Sequence, residues 1–290
     1  MARGFFLGVG KSQIATTRAP VVSGRFYPGA KTELAATVAE LLAAARADSG
    51  SSLPPFRAII APHAGYVYSG PTAAAVFARV TLPDLIIIVA PNHTGVCRAP
   101  GGASLWEDGA FRTPLGDVPV DAACAARVAA ATSLVAVDHE AHRGEHAIEV
   151  LLPFLQVLRP GVRIVPLVLA WDTWDEAREL GEALARVVRE AAEPVLLLAS
   201  SDLNHYEPAS VSERKDARAL EAVTALDGAE LLARCRRERI TMCGRAPVAV
   251  VLAAARALGA TRADVVDYRH SGWASGDNSQ VVGYGGVVIP

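Results

Sequence analysis

The sequence predicts an α/β fold: a three-layer sandwich with a mostly parallel or mixed central sheet and helices on both faces. Two patterns predict it. Short β-branched or leucine-rich runs lack the polar–apolar alternation of a one-sided strand, which marks strands covered on both faces. Alanine-rich segments with apolar residues at helical spacing separate these runs, the alternation expected of helices packed against a sheet. With 290 residues and 51% apolar content, the chain can bury one large core.

The elements follow in chain order. Residues 1–19, "MARGFFLGVGKSQIATTRA", read as a flexible leader ahead of a single domain over 20–290. The leader's "LGVGKS" imitates the end of a phosphate-binding P-loop, but Phe5 stands where the motif needs its first glycine and no strand precedes it, so no nucleotide site is predicted. A helix is expected over 32–47, a strand over 57–61, and a helix over 71–79 with Ser69 and Pro71 as opening signals. Next come a strand over 84–90, helices over 121–131 and 145–158, a strand over 163–169, and a helix over 173–192 announced by Asp172, Thr173 and Asp175. A strand over 195–199, helices over 212–225, 228–238 and 246–257, and strands over 264–268 and 281–289 complete the pattern.

Charge and composition narrow the partners. The net charge of -2, from 28 basic against 30 acidic side chains, offers no basic face for nucleic acid, so a small-molecule or peptide ligand is expected. No apolar run reaches the roughly 20 residues that cross a bilayer, and the first residues hold too short an apolar stretch for a signal peptide. No membrane partner and a cytoplasmic location are therefore expected. Cys97, Cys124, Cys235 and Cys243 are irregularly spaced, which suits reduced thiols rather than a disulfide framework.

Two stretches, "APHAGYVYSG" at 61–70 and "APNHTG" at 90–95, place His63 and His93 just beyond the ends of predicted strands. "SSDLNHYEP" at 200–208 does the same for Asp202 and His205. Ligand sites in open α/β sheets lie beyond the carboxyl ends of strands. Neutral imidazole is the commonest protein ligand for borderline transition metals, and Gly65 and Gly95 let backbone approach a ligand closely. A structural role competes for either histidine alone; the pair at equivalent places favours a shared site. Cys243 precedes a helix beginning near Pro247, where the dipole favours thiolate as nucleophile or soft ligand. It also fits a small buried hydrophobe. Asp202 lies three residues before His205, so its carboxylate could fix the imidazole tautomer, both could line a pocket, or the stretch could be a turn or cap.

A rival motif lies in "DHEAHRGEHAIE" at 138–149, where His142, Glu145 and His146 spell the inverted zinc-peptidase signature H-x-x-E-H. That chemistry needs both imidazoles one turn apart on a single helix. Gly144 suggests that the helix begins only at about 145. His146 then reads as a pocket-lining residue at a helix start, and His139 and His142 as solvated loop side chains. His270 and Asp277 sit in a glycine- and serine-rich loop that either folds over a pocket or merely joins two strands.

Taken together, "VVSGRFYPG" at 21–29, "APHAGYVYSGPTAA" at 61–74, "APNHTG", "EHAIEVLLPFLQ" at 145–156, "SSDLNHY", "MCGRAPVAVVL" at 242–252 and "YRHSGWASGDNSQVVGYGGVVI" at 268–289 resemble the Memo family. Bacterial and archaeal members of that family often occur beside a radical-SAM protein, so the resemblance implies such a partner. It also implies a fold similar to class III extradiol ring-cleaving dioxygenases, in which two histidines and a glutamate hold ferrous iron. Carried over by position, His63 and His93 match the histidine ligands and Cys243 the third ligand. His205 matches the acid–base histidine with Asp202 beside it, and His146 another pocket histidine, so these three are the catalytic candidates. A thiolate in place of a carboxylate softens the site and favours Fe(II), with Cu(I) and Zn(II) as further fits. The implied function is a non-haem iron redox enzyme acting on a small substrate, aromatic compounds among the candidates; the alternative is a non-catalytic peptide- or protein-binding module on the same scaffold.

Overall fold

The computed structural model describes residues 16–47 and 56–290. "LGVGKS" and most of the segment expected as a leader lie outside the described residues. The elements in chain order are β1 (Thr17–Arg18), α1 (Lys31–Ala47), β2 (Ala58–Ala61), α2 (Tyr66–Phe77), β3 (Leu85–Pro91), β4 (Ala103–Leu105), β5 (Ala110–Thr113), β6 (Gly116–Pro119), α3 (Ala122–Ala131) and β7 (Val135–Val137). They continue with α4 (Glu140–Arg143), a 3-10 turn (Glu149–Leu151) running into α5 (Leu152–Leu158), β8 (Arg163–Leu169), α6 (Trp174–Arg189), β9 (Val195–Ser200) and β10 (His205–Glu207). The remainder are α7 (Ala209–Thr224), α8 (Gly228–Arg237), α9 (Arg245–Ala257), β11 (Asp264–His270), α10 (Gly272–Ser275) and β12 (Val281–Ile289).

The central sheet is mixed, in the order β10-β12-β2-β9-β3-β8-β4-β7, with β11 also paired to β12. Its middle strands β2, β9, β3 and β8 run parallel, and antiparallel β12 and β4 flank them. Alternation along β3 shows the three layers directly. Leu85, Ile87 and Val89 pack with Leu180 and Leu184 of α6, Leu231 of α8 and Val248 and Val251 of α9. Ile86, Ile88 and Ala90 face the other way, with Leu34 and Val38 of α1, Phe77 of α2 and Phe154 of α5. Both faces are apolar because both are covered, and each buried Leu or Ile contributes roughly 2 kcal/mol by leaving water. A smaller sheet, β1-β5-β6, lies apart from the central one. Among the described residues no helix is long and apolar enough to cross a membrane.

Three boundaries differ from expectation. Strand β1 pairs with β5 and the Arg18 side chain is buried, so Thr17 and Arg18, expected ahead of the domain, are packed into the fold. Helix α2 begins at Tyr66, upstream of Ser69 and Pro71, and Pro71 lies inside it. The buried Tyr66 ring, whose hydroxyl donates to the Val150 carbonyl at 2.8 Å, fixes that start by packing. The helix expected from 145 starts only with the 3-10 turn at Glu149. Its first backbone donors, His146 and Ala147 N–H, give their hydrogen bonds to the Glu145 carboxylate at 2.8 and 2.9 Å, an Asx-like arrangement that competes with helix.

Candidate metal centre

Each site residue sits at the rim formed by the carboxyl ends of the parallel strands. His63 follows β2, His93 follows β3, Asp202 follows β9 and His205 opens β10. His146 comes from the irregular run before α5, and Cys243 from the approach to α9. Gly244, the N-cap of α9, makes this last approach possible: a Cβ there would lie 2.3 Å from the Ser200 carbonyl and 2.4 Å from the Ser201 Cβ. Only a residue without a side chain lets the α9 terminus meet the end of β9 this closely.

The imidazoles of His63, His93 and His146 converge. Their ligand nitrogens lie within 4.8 Å of one another, which among the described residues marks them as a group able to hold a metal ion. Ring centroids are 5.2 Å apart for His63 and His93, 5.5 Å for His63 and His146, and 4.7 Å for the stacked His93 and His146.

The hydrogen bonds decide which nitrogen each ring presents. Ser200 Oγ donates its only hydrogen to the Ala147 carbonyl at 2.7 Å, so toward His63 Nδ1, also at 2.7 Å, it can only accept. His63 therefore carries its proton on Nδ1 and keeps a lone pair on Nε2. His93 Nδ1 lies 2.9 Å from Glu145 Oε1, and a carboxylate likewise accepts, so His93 also presents Nε2. Glu145 further accepts from the His93 backbone N–H at 2.6 Å and contacts His146 Nδ1 at 3.4 Å. Such partners behind the ring set tautomer and orientation at metal sites.

Electrostatics favour neutral rings at His63 and His146. Burial, reinforced by the neighbouring imidazoles, holds His63 well below the ordinary histidine range, and burial lowers His146 as well. For His93 burial also lowers, but the hydrogen bond and charge of Glu145 outweigh it and the net shift is upward. Glu145 is raised by burial, yet the His93 hydrogen bond and charge and the surrounding donors bring it down to about 2.

Cys243 Sγ lies 3.4 Å from His63 Nε2 and accepts from the Asp202 backbone N–H at 3.3 Å. It stands beside the three imidazoles without belonging to their group. Burial, with Asp202 next to it, pushes the thiol up, against the lowering that a helix terminus favours. Asp202 accepts from the His63 backbone N–H at 2.8 Å and is itself raised, chiefly by burial. It therefore orients His63. Among the described residues no hydrogen bond reaches the His205 ring, whose Nδ1 is buried without a partner, so the expected Asp202–His205 pairing is not formed.

A cavity of about 870 Å³ opens over the group, lined by His63, His93, His146, Asp202, His205 and Cys243 and walled by Phe26, Tyr68, Tyr206 and Tyr284. The Phe26 ring meets His146 edge-on at 5.1 Å. Asp277 lines the same cavity, so its loop does fold over it, whereas His270 lies in a separate cleft with Glu213 and Trp273.

The rival motif dissolves. His142 belongs to α4, which ends at Arg143, and His142 Nε2 hydrogen-bonds the Ser104 carbonyl at 3.0 Å. It is buried rather than solvated. His139 is stacked on Trp106 at 4.0 Å and paired with Glu107, also against expectation. The motif's Glu145 instead serves His93. Sequence reasoning missed that role, and missed Ser200 altogether. The signal for Ser200 was available: it is the register partner of Ala61 on the strand beside the one that delivers His63.

Comparison with known proteins bears on the whole arrangement. The family described as "Memo-like protein" matches residues 18–288. The chain is 38% identical over 281 residues to a MEMO1 family protein of Methanopyrus kandleri, covering 94% of this chain and 98% of that one. It is 39% identical over 282 residues to one of Aeropyrum pernix (94% and 99%) and 38% identical over 273 residues to one of Aquifex aeolicus (94% and 98%). The crystal structure of uncharacterized protein JW3007 from Escherichia coli K12 shares the fold, with a TM-score of 0.52 and 15% identity over 79% of this chain and 99% of that one. With the match spanning both the strand-end histidines and the segments that orient them, the chain belongs to the Memo family.

Proposed function

We propose that this chain is a metal-dependent redox enzyme in which His63, His93 and His146 hold one first-row transition-metal ion, Fe(II) in first place, with Cu(I) and Zn(II) as the other fits. The observation that carries the reading is the commitment of the Nδ1 hydrogens of His63 and His93 to Ser200 and Glu145, which leaves their Nε2 lone pairs for a shared cation. Imidazole ligands suit iron, copper and zinc. His146 supplies the third nitrogen by position, in the place that sequence reasoning gave to Cys243.

An Fe(II) ion held by these imidazoles would supply Lewis acidity and one-electron chemistry to a ligand in the cavity. The chain's own residues do the rest. Phe26, Tyr68, Tyr206 and Tyr284 offer aromatic walls that bind and orient a small aromatic ligand and keep water from its faces. His205 lines the cavity with a ring that no hydrogen bond from the described residues reaches, so it is the group placed to exchange a proton with the ligand. Cys243 stands beside His63, its thiol pushed up by burial.

Metal analysis of anaerobically purified protein tests the reading. Stoichiometric iron is expected in the wild type, with loss in His63→Ala, His93→Ala and His146→Ala and retention in Cys243→Ser. Iron retained by His146→Ala but lost by Cys243→Ser would return the third ligand to the thiol. A wild type that takes up no metal yet binds a peptide or protein in the cavity would replace the enzyme with a binding module.

A further inference from the structure

Behind the cavity wall lies a fully buried amide whose every polar atom is engaged. Asn204 Oδ1 accepts from the Thr241 backbone N–H at 3.0 Å and from Thr241 Oγ1 at 3.1 Å. Its Nδ2 donates to Glu207 Oε2 at 2.7 Å and Ser212 Oγ at 3.1 Å. Its backbone N–H donates to Asp216 Oδ1 at 2.8 Å, and its carbonyl accepts from Gly283 N–H at 2.9 Å. The amide orientation is thereby forced, since a backbone N–H can only donate and a carboxylate only accept.

These bonds join two segments that reach the cavity from different parts of the chain. Thr241 Oγ1, held by Asn204, accepts the His205 backbone N–H at 2.8 Å. Two residues beyond Thr241 is Cys243, whose sulfur touches the Asp202 backbone on the segment that holds Asn204. Asp216 anchors the node to α7, taking a second hydrogen bond from Tyr268 Oη at 2.8 Å. The anchor is close: a Cβ on Gly283 would lie 2.0 Å from Asp216 Oδ2, so only glycine admits the buried carboxylate.

We infer that Asn204, anchored by Asp216, is the positioning residue that fixes His205 and the Thr241–Cys243 segment against each other at the cavity wall. An amide suits the task because it donates and accepts at once, and full satisfaction of a buried polar node makes its arrangement unique. The inference rests on the proposed redox reading only in treating His205 and Cys243 as the working groups.

The test uses Thr241→Val, which keeps the side chain's shape at an exposed residue and deletes only the hydroxyl between Asn204 and His205. Thr241→Ser restores it, and Asn204→Asp removes the two Nδ2 donors. Two readouts are taken on metal-free protein in a Cys97→Ser background, in which the other two cysteines are buried: the rate of Cys243 alkylation by iodoacetamide, and the His205 imidazole proton resonance. Thr241→Val should alkylate about fivefold faster, the change in open population that loss of one hydrogen bond permits. It should also shift the His205 resonance, while Thr241→Ser behaves as wild type. A Thr241→Val protein with wild-type alkylation and an unmoved His205 resonance would overturn the inference. Because no metal is present, failure of the metal assignment leaves this result standing, and failure here leaves the metal assignment standing.

Discussion

Ser200 has one hydrogen to give and gives it to the Ala147 carbonyl; this single fact sets the tautomer of His63. Ser200→Ala would free the imidazole to flip or to move its proton to Nε2, and loss of a partner of this kind typically costs 10–100-fold in metal affinity. A chelator-competition titration should show a loss in about that range for Ser200→Ala. A larger loss is expected for Glu145→Gln, because Glu145 also holds His146 and Ala147 by their backbone. Unchanged affinity in Ser200→Ala would remove the tautomer argument. His63 and His93 were legible in the sequence, because a histidine and a glycine after a buried apolar run mark a strand end. The upward shift of the Cys243 thiol was not. A helix terminus is worth about 0.3–1 kcal/mol, under about one pKa unit, and at most about 2 kcal/mol, whereas burial can raise a thiol by up to about 3–5 units. Burial depends on what surrounds the sulfur, and no local pattern states that.

At the scale of elements, the long helices and interior strands were legible because their periodicity is local. The N-terminal strap from Thr16 onward was not, since its order is imposed from far along the chain. Glu149, fully buried, accepts from Val21 N–H at 2.8 Å, Val22 N–H at 3.0 Å and Tyr27 Oη at 2.6 Å, and pairs with Arg18. Arg18 in turn donates to the His142 carbonyl at 3.0 Å and to the Glu145 carbonyl. One carboxylate thus pins the strap that carries Phe26 onto His146. Removing one member of a buried pair leaves the other charge uncompensated, which costs about 3–5 kcal/mol. Urea unfolding of Glu149→Ala should show a loss of that order, and the Phe26 ring should lose its contact with His146, read as a shift of the His146 imidazole signals. A Glu149→Ala protein as stable as the wild type would mean that packing alone holds the strap. The short strands β4 to β7 escaped notice for a related reason: with three or four residues each, they are too short to express a period.

The whole molecule combines titrating groups that no one element contains. Burial disfavours the charged form of any group, but for a carboxyl that form is the deprotonated one and for an imidazole the protonated one. Asp216 is accordingly raised from 3.8 to about 6 by burial, with Glu213 and Glu207 adding to the effect against the hydrogen bonds from Asn204 and Tyr268. His142 is lowered from 6.5 to about 4, chiefly by burial, with the Ser104 carbonyl opposing. The signs follow. Between about 4 and 6 the folded chain keeps a proton on Asp216 that the unfolded chain has released, so this group loses stability as pH rises through the window. Over nearly the same window the unfolded chain binds a proton that folded His142 refuses, so that group loses stability as pH falls. Each shift of about two units corresponds to about 3 kcal/mol, and the two slopes oppose each other. Asp216→Asn, which keeps an oxygen facing the Asn204 N–H, should therefore steepen the loss of stability on acidification from pH 6 to pH 4, and His142→Phe should flatten it. The observable is the pH slope of the unfolding free energy in urea titrations, which separates proton linkage from any uniform cost of the substitution itself. Parallel slopes for wild type and Asp216→Asn would show that the buried carboxyl does not hold its proton in the folded chain.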